Sequence, residues 1–599
     1  MTTLLNPRHL AFVLWEVLRA EELFQLAPFA QHDRQSAQAM LETAEKVARE
    51  QFLASYAKLD AQEPHIENGR AVLPGDIGTA LAAFRDAGFF AMAAEGDAGG
   101  LGLPRTIGNA AFLWFQAANV SIANYAMLTM SAAELLDQHG TPEQKARWMA
   151  PMLEGRFFGT MALSEPQAGS SLGDIATTAR ALPDGRYALT GTKMWISGGD
   201  HDLVENIVHM MLARIEGAPK GVRGISLFVV PRKRLDAAGR ATAGNHIALA
   251  GLNHKMGQRG TVNTVLNVGE GGNTIGELVG RAGGGLACMF TMMNEARIGV
   301  SMGAVAHASA GYRHSLGYAR ERLQGRDPDG KDPAAPQIPL IAHADVRRML
   351  MQQKAAAEGG IALALYLAKL ADLKKAAATP GARADAAMLL DYLTPVFKAW
   401  MSEETLLANS NAVQVLGGAG YTRDHPVEQY YRDNRLNPIH EGTNGIQAID
   451  LLGRKVAMDG GRALTLFQAE VARTVQDASR TDLTAVSSRV GGLASRLDRA
   501  TTHLAELKGR EGSRRQLAFA ADYMEATGAI VFLWMWVWQA TAAARAMTDA
   551  GDGEVGFYDG LIETARHVAD TVAPRADAAF DRILNERAVF FNLSDAAFD

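Results

Sequence analysis

Glu441 stands in NPIHEGTNGIQ (Asn437–Gln447), with Gly442 and Thr443 directly after it and apolar patterns on either side. A carboxylate in an apolar cleft is a candidate general base, because desolvation raises its basicity. Gly442 lets a ligand approach the backbone, and Thr443 can donate a hydrogen bond to it. A solvated loop glutamate would leave the same residues idle. A second segment, MALSEPQAGS (Met161–Ser170), offers the hydroxyls of Ser164 and Ser170 and the small pair Ala168-Gly169. Such a turn can bond the polar edge of a flat heterocycle and reach a phosphate, though an ordinary Pro/Gly turn looks the same. A third, KMWISGG (Lys193–Gly199), carries the planar face of Trp195, with Ser197 on the same side of a strand two residues on. A strand tryptophan can equally be core.

These segments need elements to hold them. From Arg8 to about Arg156 apolar residues recur at helical steps, as in AQAMLETAEKVAREQFLASYAKL. DAGGLGLPR (Asp97–Arg105) is a glycine loop, and a helix opens at Thr141 with Pro142 in its first turn. After Gly159 the pattern changes to short alternating runs up to about Leu278, which predict strands. Helical patterns return at Gly284 and run to about Met458, and Gly460–Gly461 precede a further helical unit rich in Ala and Arg. The middle strands hold the second and third segments, and the second helical region holds Glu441.

Composition narrows the function. The 599 residues are 48% hydrophobic, so extensive disorder is excluded and several domains are expected. Lys+Arg 59 against Asp+Glu 65 gives a net charge of −6, which offers no bulk attraction to nucleic acid. The single Cys288 allows neither an intrachain disulfide nor a cysteine-rich metal site; no metal is expected, and a cytoplasmic location fits. The N-terminus, Met1–Arg19, reads as a helix rather than a signal peptide. The apolar run AIVFLWMWVW (Ala529–Trp538) is too short for a bilayer, which needs about 20 residues. A buried helix or a subunit contact is expected there, with membrane-surface docking through Trp534, Trp536 and Trp538 as the alternative.

Taken together, the three segments resemble the acyl-CoA dehydrogenase family of flavoproteins. DAGGLGLP (Asp97–Pro104), HGTPEQKARWMAPML (His139–Leu153), GRAGGGLACMFTMMNEARIGV (Gly280–Val300), ARERLQGR (Ala319–Arg326) and QVLGGAGYTRDHPVEQYYRD (Gln414–Asp433) match as well, so the likeness runs from roughly Gly69 to Arg454. It implies a mostly α fold with a middle β domain: an N-terminal helical lead (1–40), an N-terminal α-helical domain (41–158), a β-barrel (159–280), a four-helix bundle (281–458) and an additional helical domain (459–599). FAD would sit in the crevice between the domains. The implied reaction is α,β-dehydrogenation of an acyl-CoA to a trans-2-enoyl-CoA, with electrons passing to electron-transferring flavoprotein.

Carried over residue by residue, the resemblance makes Glu441 the catalytic base. Met161, Ala162, Leu163, Ser164, Gly169, Ser170, Trp195, Ile196 and Ser197 would hold the flavin, with Thr443 a further FAD contact. Ser170, Asn294, Arg297 and Gly442 would meet the acyl-CoA. Arg322 and Gln324, with Gln414, Gly417 and Gly418, would reach the FAD of a neighbouring subunit, which implies a homo-oligomer. The bland readings are a surface ion pair for Arg322 and a helix cap for Gly417–Gly418. Some relatives carry their base just before the arginine of NEAR; here that position is Ala296, with Glu295 about 100° away around the helix. Three departures stand out. Asn294 replaces a common acidic residue, His440 a common Tyr, and Gln167 a common Gly that is tolerated if its φ is negative.

The extra C-terminal unit and the lead PRHLAFVLWEVL (Pro7–Leu18) resemble the extended bacterial branch that contains 3-methylmercaptopropionyl-CoA dehydrogenases. A dimer is expected, because the added unit would cover the surface on which ordinary relatives form tetramers. Two rivals remain. An acyl-CoA oxidase would share the proton and hydride steps but use O₂. A DNA-binding flavoprotein relative would need a basic extension, whereas residues 461–599 carry 15 Lys+Arg against 19 Asp+Glu, with basic clustering only at Lys508–Arg515.

Overall fold

The computed structural model describes residues 3–96, 99–330 and 332–599. Asp97 and Ala98, which open the glycine loop, lie outside the described residues. The chain divides into two compact units. One comprises Gln35–Leu103 and Ala111–Gly299, the other Met1–Arg34, Pro104–Ala110 and Val300–Asp599.

In the first unit Gly75–Asp86 and the part of Arg105–His139 from Ala111 on pack through a cluster of phenylalanines. Phe84 meets Phe115 at 4.8 Å and Phe90 at 4.9 Å, both edge-on, the arrangement that ring quadrupoles favour. The helix expected at Thr141 begins there: Thr141 Oγ1 accepts from Gln144 N–H while the Gln144 side chain accepts from Thr141 N–H. It then passes through a π-helical stretch, Lys145–Met149, before ending at Leu153.

The strands close into a ring. Tyr187–Ser197 pairs with Thr274–Val279, that with Ile225–Pro231, that with Asn206–Ile215, that with Thr178–Ala181, and this last returns to Tyr187–Ser197. The circuit has no free edge within it, so the middle region is a barrel. Leu189, Met211, Phe228, Val230 and Leu266 share one cluster. Val208, Met210, Leu212, Leu227 and Val229 pack instead with Leu135, Leu136, Trp148 and Met152 of the helices. Asn206–Ile215 is therefore buried on both faces, which is why its sequence, NIVHMMLARI, is nearly continuous rather than alternating.

In the second unit the long helices Gly285–Glu321 (its part from Val300 on), Ala344–Ala376 and Pro380–Leu416 form the bundle. The shorter Val427–Asn434 and Asn444–Gly453 pack on Pro380–Leu416, and the added unit then supplies the long helices Arg462–Ala478, Thr484–Glu511, Ala520–Ala546, Asp552–Thr571 and Ala573–Leu584. The helix holding the apolar run has the length and hydropathy of a membrane span, but 89% of that window is buried. Trp534 stands edge-on to Tyr366 at 5.4 Å, and Trp536 Nε1 donates to the Ala355 carbonyl (3.2 Å). Gly528 admits the Trp400 ring where a Cβ would collide at 2.3 Å. The run is a core helix that seats the added helices against the bundle.

The N-terminal lead belongs to the same packing. Arg8 bonds Glu16 (2.8 Å) and Glu554 (2.6 Å), donates to Tyr558 Oη (2.8 Å) and lies 4.4 Å over the Phe557 ring. Phe12, fully buried, meets Phe557 at 5.6 Å, and His9 Nε2 pairs with Gln539 Oε1 (2.8 Å). The N-terminal lead and the added helices thus pack as one structural body.

Candidate active site

The Met161–Ser170 turn leaves the end of the strand Phe157–Ala162. Glu165 and Ala168 exchange backbone hydrogen bonds, both 3.0 Å, around Pro166 and Gln167. Gln167 is not among the residues with positive φ, so its replacement of glycine causes no strain. Beneath the turn lies a buried ion pair. Lys193 Nζ donates to Glu165 Oε1 (2.8 Å) and to the Leu163 carbonyl (3.0 Å), and the two side chains are 0% and 2% exposed. Glu165 also accepts from Thr177 Oγ1 (2.5 Å), Thr177 N–H (3.1 Å), Ala176 N–H (2.6 Å) and Gln167 Nε2 (2.8 Å). Burial opposes the ionised carboxyl, but Lys193 and these donors outweigh it and hold Glu165 down at about 2. Burial draws Lys193 down to about 8, against the pull of Glu165.

The third segment is welded to the same turn: Met194 N–H donates to the Ser164 carbonyl (3.0 Å). Pairing with Asn263–Val268 skips a residue here, Thr264 facing Ile196 and Leu266 facing Lys193. The extra residue forms a bulge with Trp195 at φ +65°. A non-glycine residue there costs on the order of 1–3 kcal/mol. What the strain achieves is presentation: Trp195 is 58% exposed while Ile196 beside it is 1% exposed. Asn263 Nδ2 donates to Ser197 Oγ (3.1 Å) and orients that hydroxyl on the same side. An indole forced outward beside the Ser164–Ser170 turn is a donor set and an aromatic face that fit a flat, polar-edged ring such as a flavin.

In the same unit Asn294 and Arg297 share a helix face, with Arg297 5% exposed and its Nη1 3.5 Å from Asn294 Oδ1. Ala296 between them is buried and carries no titratable group. Ser170 is exposed.

In the other unit Glu441 also has a left-handed backbone, φ +55°, and Gly442 follows at +87°. The loop is clamped from below. Gln447, fully buried, donates through Nε2 to the carbonyls of Glu441 (3.1 Å) and Gly442 (3.2 Å). The φ of Gly442 is one that favours glycine, and a Cβ there would stand 2.7 Å from that Nε2 and displace the clamp. Thr443 caps the helix Asn444–Gly453, its Oγ1 accepting from Ile446 N–H (3.4 Å). Asn444 is held by Lys398 Nζ (3.1 Å) and Ser402 Oγ (3.2 Å). His440 Nε2 lies 3.0 Å from Asn437 Oδ1.

Arg322, Gln324, Gln414, Gly417 and Gly418 are all exposed. Their helices converge on one apolar cluster through Leu316, Ala319, Ala412 and Val415. Arg322 forms no ion pair among the described residues. Gly417 does cap Pro380–Leu416, at φ +62°. Two of the four cations in the basic patch at Lys508–Arg515 are paired, Arg510 with Glu586 (2.6 Å) and Arg515 with Glu511 (3.5 Å).

Sequence reasoning did not single out Lys193, Glu165, Gln447 or the asparagines around Asn437. Lys193 and Glu165 lay inside the quoted motifs. The usable signal was a lysine amid strand-forming residues, which must be paired if it is buried.

Comparison with known proteins identifies the family. Residues 34–156, 160–266 and 283–456 match the N-terminal, middle and C-terminal domains of acyl-CoA dehydrogenases, and 467–594 match the acetyl-CoA dehydrogenase C-terminal-like domain. The chain is 36% identical to 3-methylmercaptopropionyl-CoA dehydrogenase of Ruegeria pomeroyi, over 97% of this chain and 98% of that one. It is 32% identical to the broad-specificity linear acyl-CoA dehydrogenase FadE5 of Mycobacterium tuberculosis, over 99% of each. Its fold is similar to that of an acyl-CoA dehydrogenase complexed with FAD from Bacillus anthracis, with TM-score 0.74, 18% identity, and 94% of this chain and 90% of that one covered. Caenorhabditis elegans ACDH-11 in complex with C11-CoA gives the same TM-score at 18% identity, over 98% and 95%. The chain belongs to the acyl-CoA dehydrogenase family, oxidoreductases whose cofactor is FAD.

Proposed function

We propose that the protein converts a short or medium acyl-CoA, with 3-methylmercaptopropionyl-CoA a leading candidate, to its trans-2-enoyl thioester, and that Glu441 removes the α-proton. The observation that carries this reading is the clamped, left-handed backbone at Glu441, since strain of this kind collects where a side chain must be aimed.

Met161 through Ser164, Gly169, Ser170 and Trp195 through Ser197 would hold the flavin, with Thr443 as a further contact. FAD, when bound, supplies the acceptor for the β-hydride. The α-C–H is too weak an acid for a carboxylate unless the developing enolate is held by pre-aimed donors. The Glu441 N–H is the protein donor for the thioester oxygen, and the Gln447 clamp fixes the loop that aims it. Ser170, Asn294, Arg297 and Gly442 would meet the CoA. Arg322, Gln324, Gln414, Gly417 and Gly418, exposed in one chain, would complete the FAD site of a second, in a homodimer. Electron-transferring flavoprotein is the proposed acceptor, in the cytoplasm.

An anaerobic screen of acyl-CoAs, followed by loss of the visible flavin absorbance, tests the reading and names the substrate. No bleaching by butanoyl-, octanoyl- or 3-methylmercaptopropionyl-CoA would refute it. Reoxidation of the reduced flavin by air within the turnover time would assign the protein as an oxidase instead.

A further inference from the structure

Behind the Glu441 loop the buried polar groups form a chain with a direction. His440 Nε2 lies 3.0 Å from Asn437 Oδ1, Asn437 Nδ2 2.8 Å from Asn434 Oδ1, Asn434 Nδ2 2.6 Å from Asn409 Oδ1, and Asn409 Nδ2 2.9 Å from the His307 carbonyl. Asn409 and Asn434 are 0% exposed and Asn437 2%. A Cβ on Gly311 would press to 2.7 Å on Asn409 Nδ2, so a glycine makes room for the chain's inner end.

The far end sets the sense of every link. A peptide carbonyl only accepts, so Asn409 must present its NH₂ to His307 and its oxygen to Asn434. Asn434 must then donate to Asn409 and accept from Asn437. Asn437, with its NH₂ committed, can offer His440 only an oxygen. His440 is therefore obliged to carry a proton on Nε2. Amides aligned head to tail polarise one another, and low dielectric strengthens each link.

We infer that Asn409, Asn434 and Asn437 are positioning residues that hold His440 as an Nε2–H donor and thereby anchor the entry to the strained Glu441 turn, while Gln447 anchors its exit. Two further bonds support this. The His440 N–H donates to the Leu436 carbonyl (3.2 Å), and the Asn444 N–H to the Pro438 carbonyl (3.1 Å), so the loop between 436 and 444 is closed on itself. Ile439 is 50% exposed and contributes little packing, while Pro438 beside it is buried, so the ladder supplies the directional polar attachment at this end. This inference rests on Glu441 being the base.

The test compares flavin bleaching by saturating butanoyl-CoA and 3-methylmercaptopropionyl-CoA in holoenzyme variants, together with acyl-CoA Kd, flavin content and the isotope effect of α-dideuterated substrate. Asn434→Leu and His440→Phe should slow bleaching 10- to 100-fold, enlarge the isotope effect, and leave flavin content full and Kd within threefold. His440→Gln, which can still donate, should recover most of the rate. Leu497→Ala, a core truncation in the added helices, should lower thermal stability without touching the bleaching rate. Glu441→Gln run alongside separates the two claims. If it bleaches normally, the base lies elsewhere and the reading beneath this one fails. If it is inert while Asn434→Leu and His440→Phe bleach at the native rate, the ladder has no positioning role. A Leu497→Ala loss equal to that of Asn434→Leu would likewise overturn it, and should Asn434→Leu not fold, His440→Phe against His440→Gln decides.

Discussion

Lys193 and Glu165 meet where no water reaches, Nζ to Oε1 at 2.8 Å, and the same ammonium grips the Leu163 carbonyl at 3.0 Å. One cation thus joins the turn carrying Ser164 to the strand carrying Trp195. Removing one partner of a buried pair leaves the other charge unmatched, at a cost of about 3–5 kcal/mol. Lys193→Met should therefore lower thermal stability and release flavin on gel filtration, while Lys193→Arg keeps part of both. Full flavin retention in Lys193→Met would show that the pair does not set the flavin segments.

Trp195 permits a sharper separation of stability from binding. Its backbone is left-handed and its side chain 58% exposed, so it contributes strain and little packing. Trp195→Gly should leave the thermal midpoint of flavin-stripped protein unchanged or slightly raised, since glycine removes about 1 kcal/mol of strain. FAD affinity should fall tenfold or more, measured by fluorescence titration. A several-degree loss in the stripped protein would mean the indole is packed rather than presented.

The same strand shows how far sequence carried and where it stopped. Helices, the middle strands, the added helical unit and the burial of the apolar run were legible, because each rests on periodicity over many residues. Strict alternation, however, puts Lys193, Trp195 and Ser197 on one face. The bulge breaks that register, so Lys193 turns inward and Trp195 outward. A bulge is one residue of slippage between strands distant in sequence, and no local pattern encodes it. Glu441 was legible as chemistry, but its left-handed backbone and the asparagines behind it depend on helices some 30 and 130 residues away, at Asn409 and His307.

Arg322 is exposed with no ion-pair partner among the described residues, and its helix shares an apolar cluster with the one that Gly417 caps. If a second chain's FAD is its partner, Arg322→Ala should weaken FAD binding and shift light scattering from dimer toward monomer together. Tight flavin with an intact dimer would contradict the intersubunit assignment, and a native tetramer would remove the proposal that the added domain limits assembly to two chains.

Acid should weaken both units. Burial holds His201 neutral down to about 3, with His209 adding to the effect, and holds His209 and His307 neutral down to about 4. In the unfolded chain an imidazole protonates near 6.5. Between those values the unfolded state binds more protons, so stability is full above about pH 6.5 and falls as pH drops toward 4. At pH 5 each histidine costs about 2 kcal/mol by this linkage. Asp372, raised by burial to about 6 although Thr106 and Arg105 donate to it, runs the other way. Its contribution is full at low pH and lost as pH rises through 6, which returns only about 1 kcal/mol at pH 5. The thermal midpoint should therefore fall steadily from pH 7 to 5, and His307→Met should make the decline shallower by about a third of the histidine share. A flat midpoint over that range, or an unchanged slope in His307→Met, would mean these imidazoles take up protons in the folded protein.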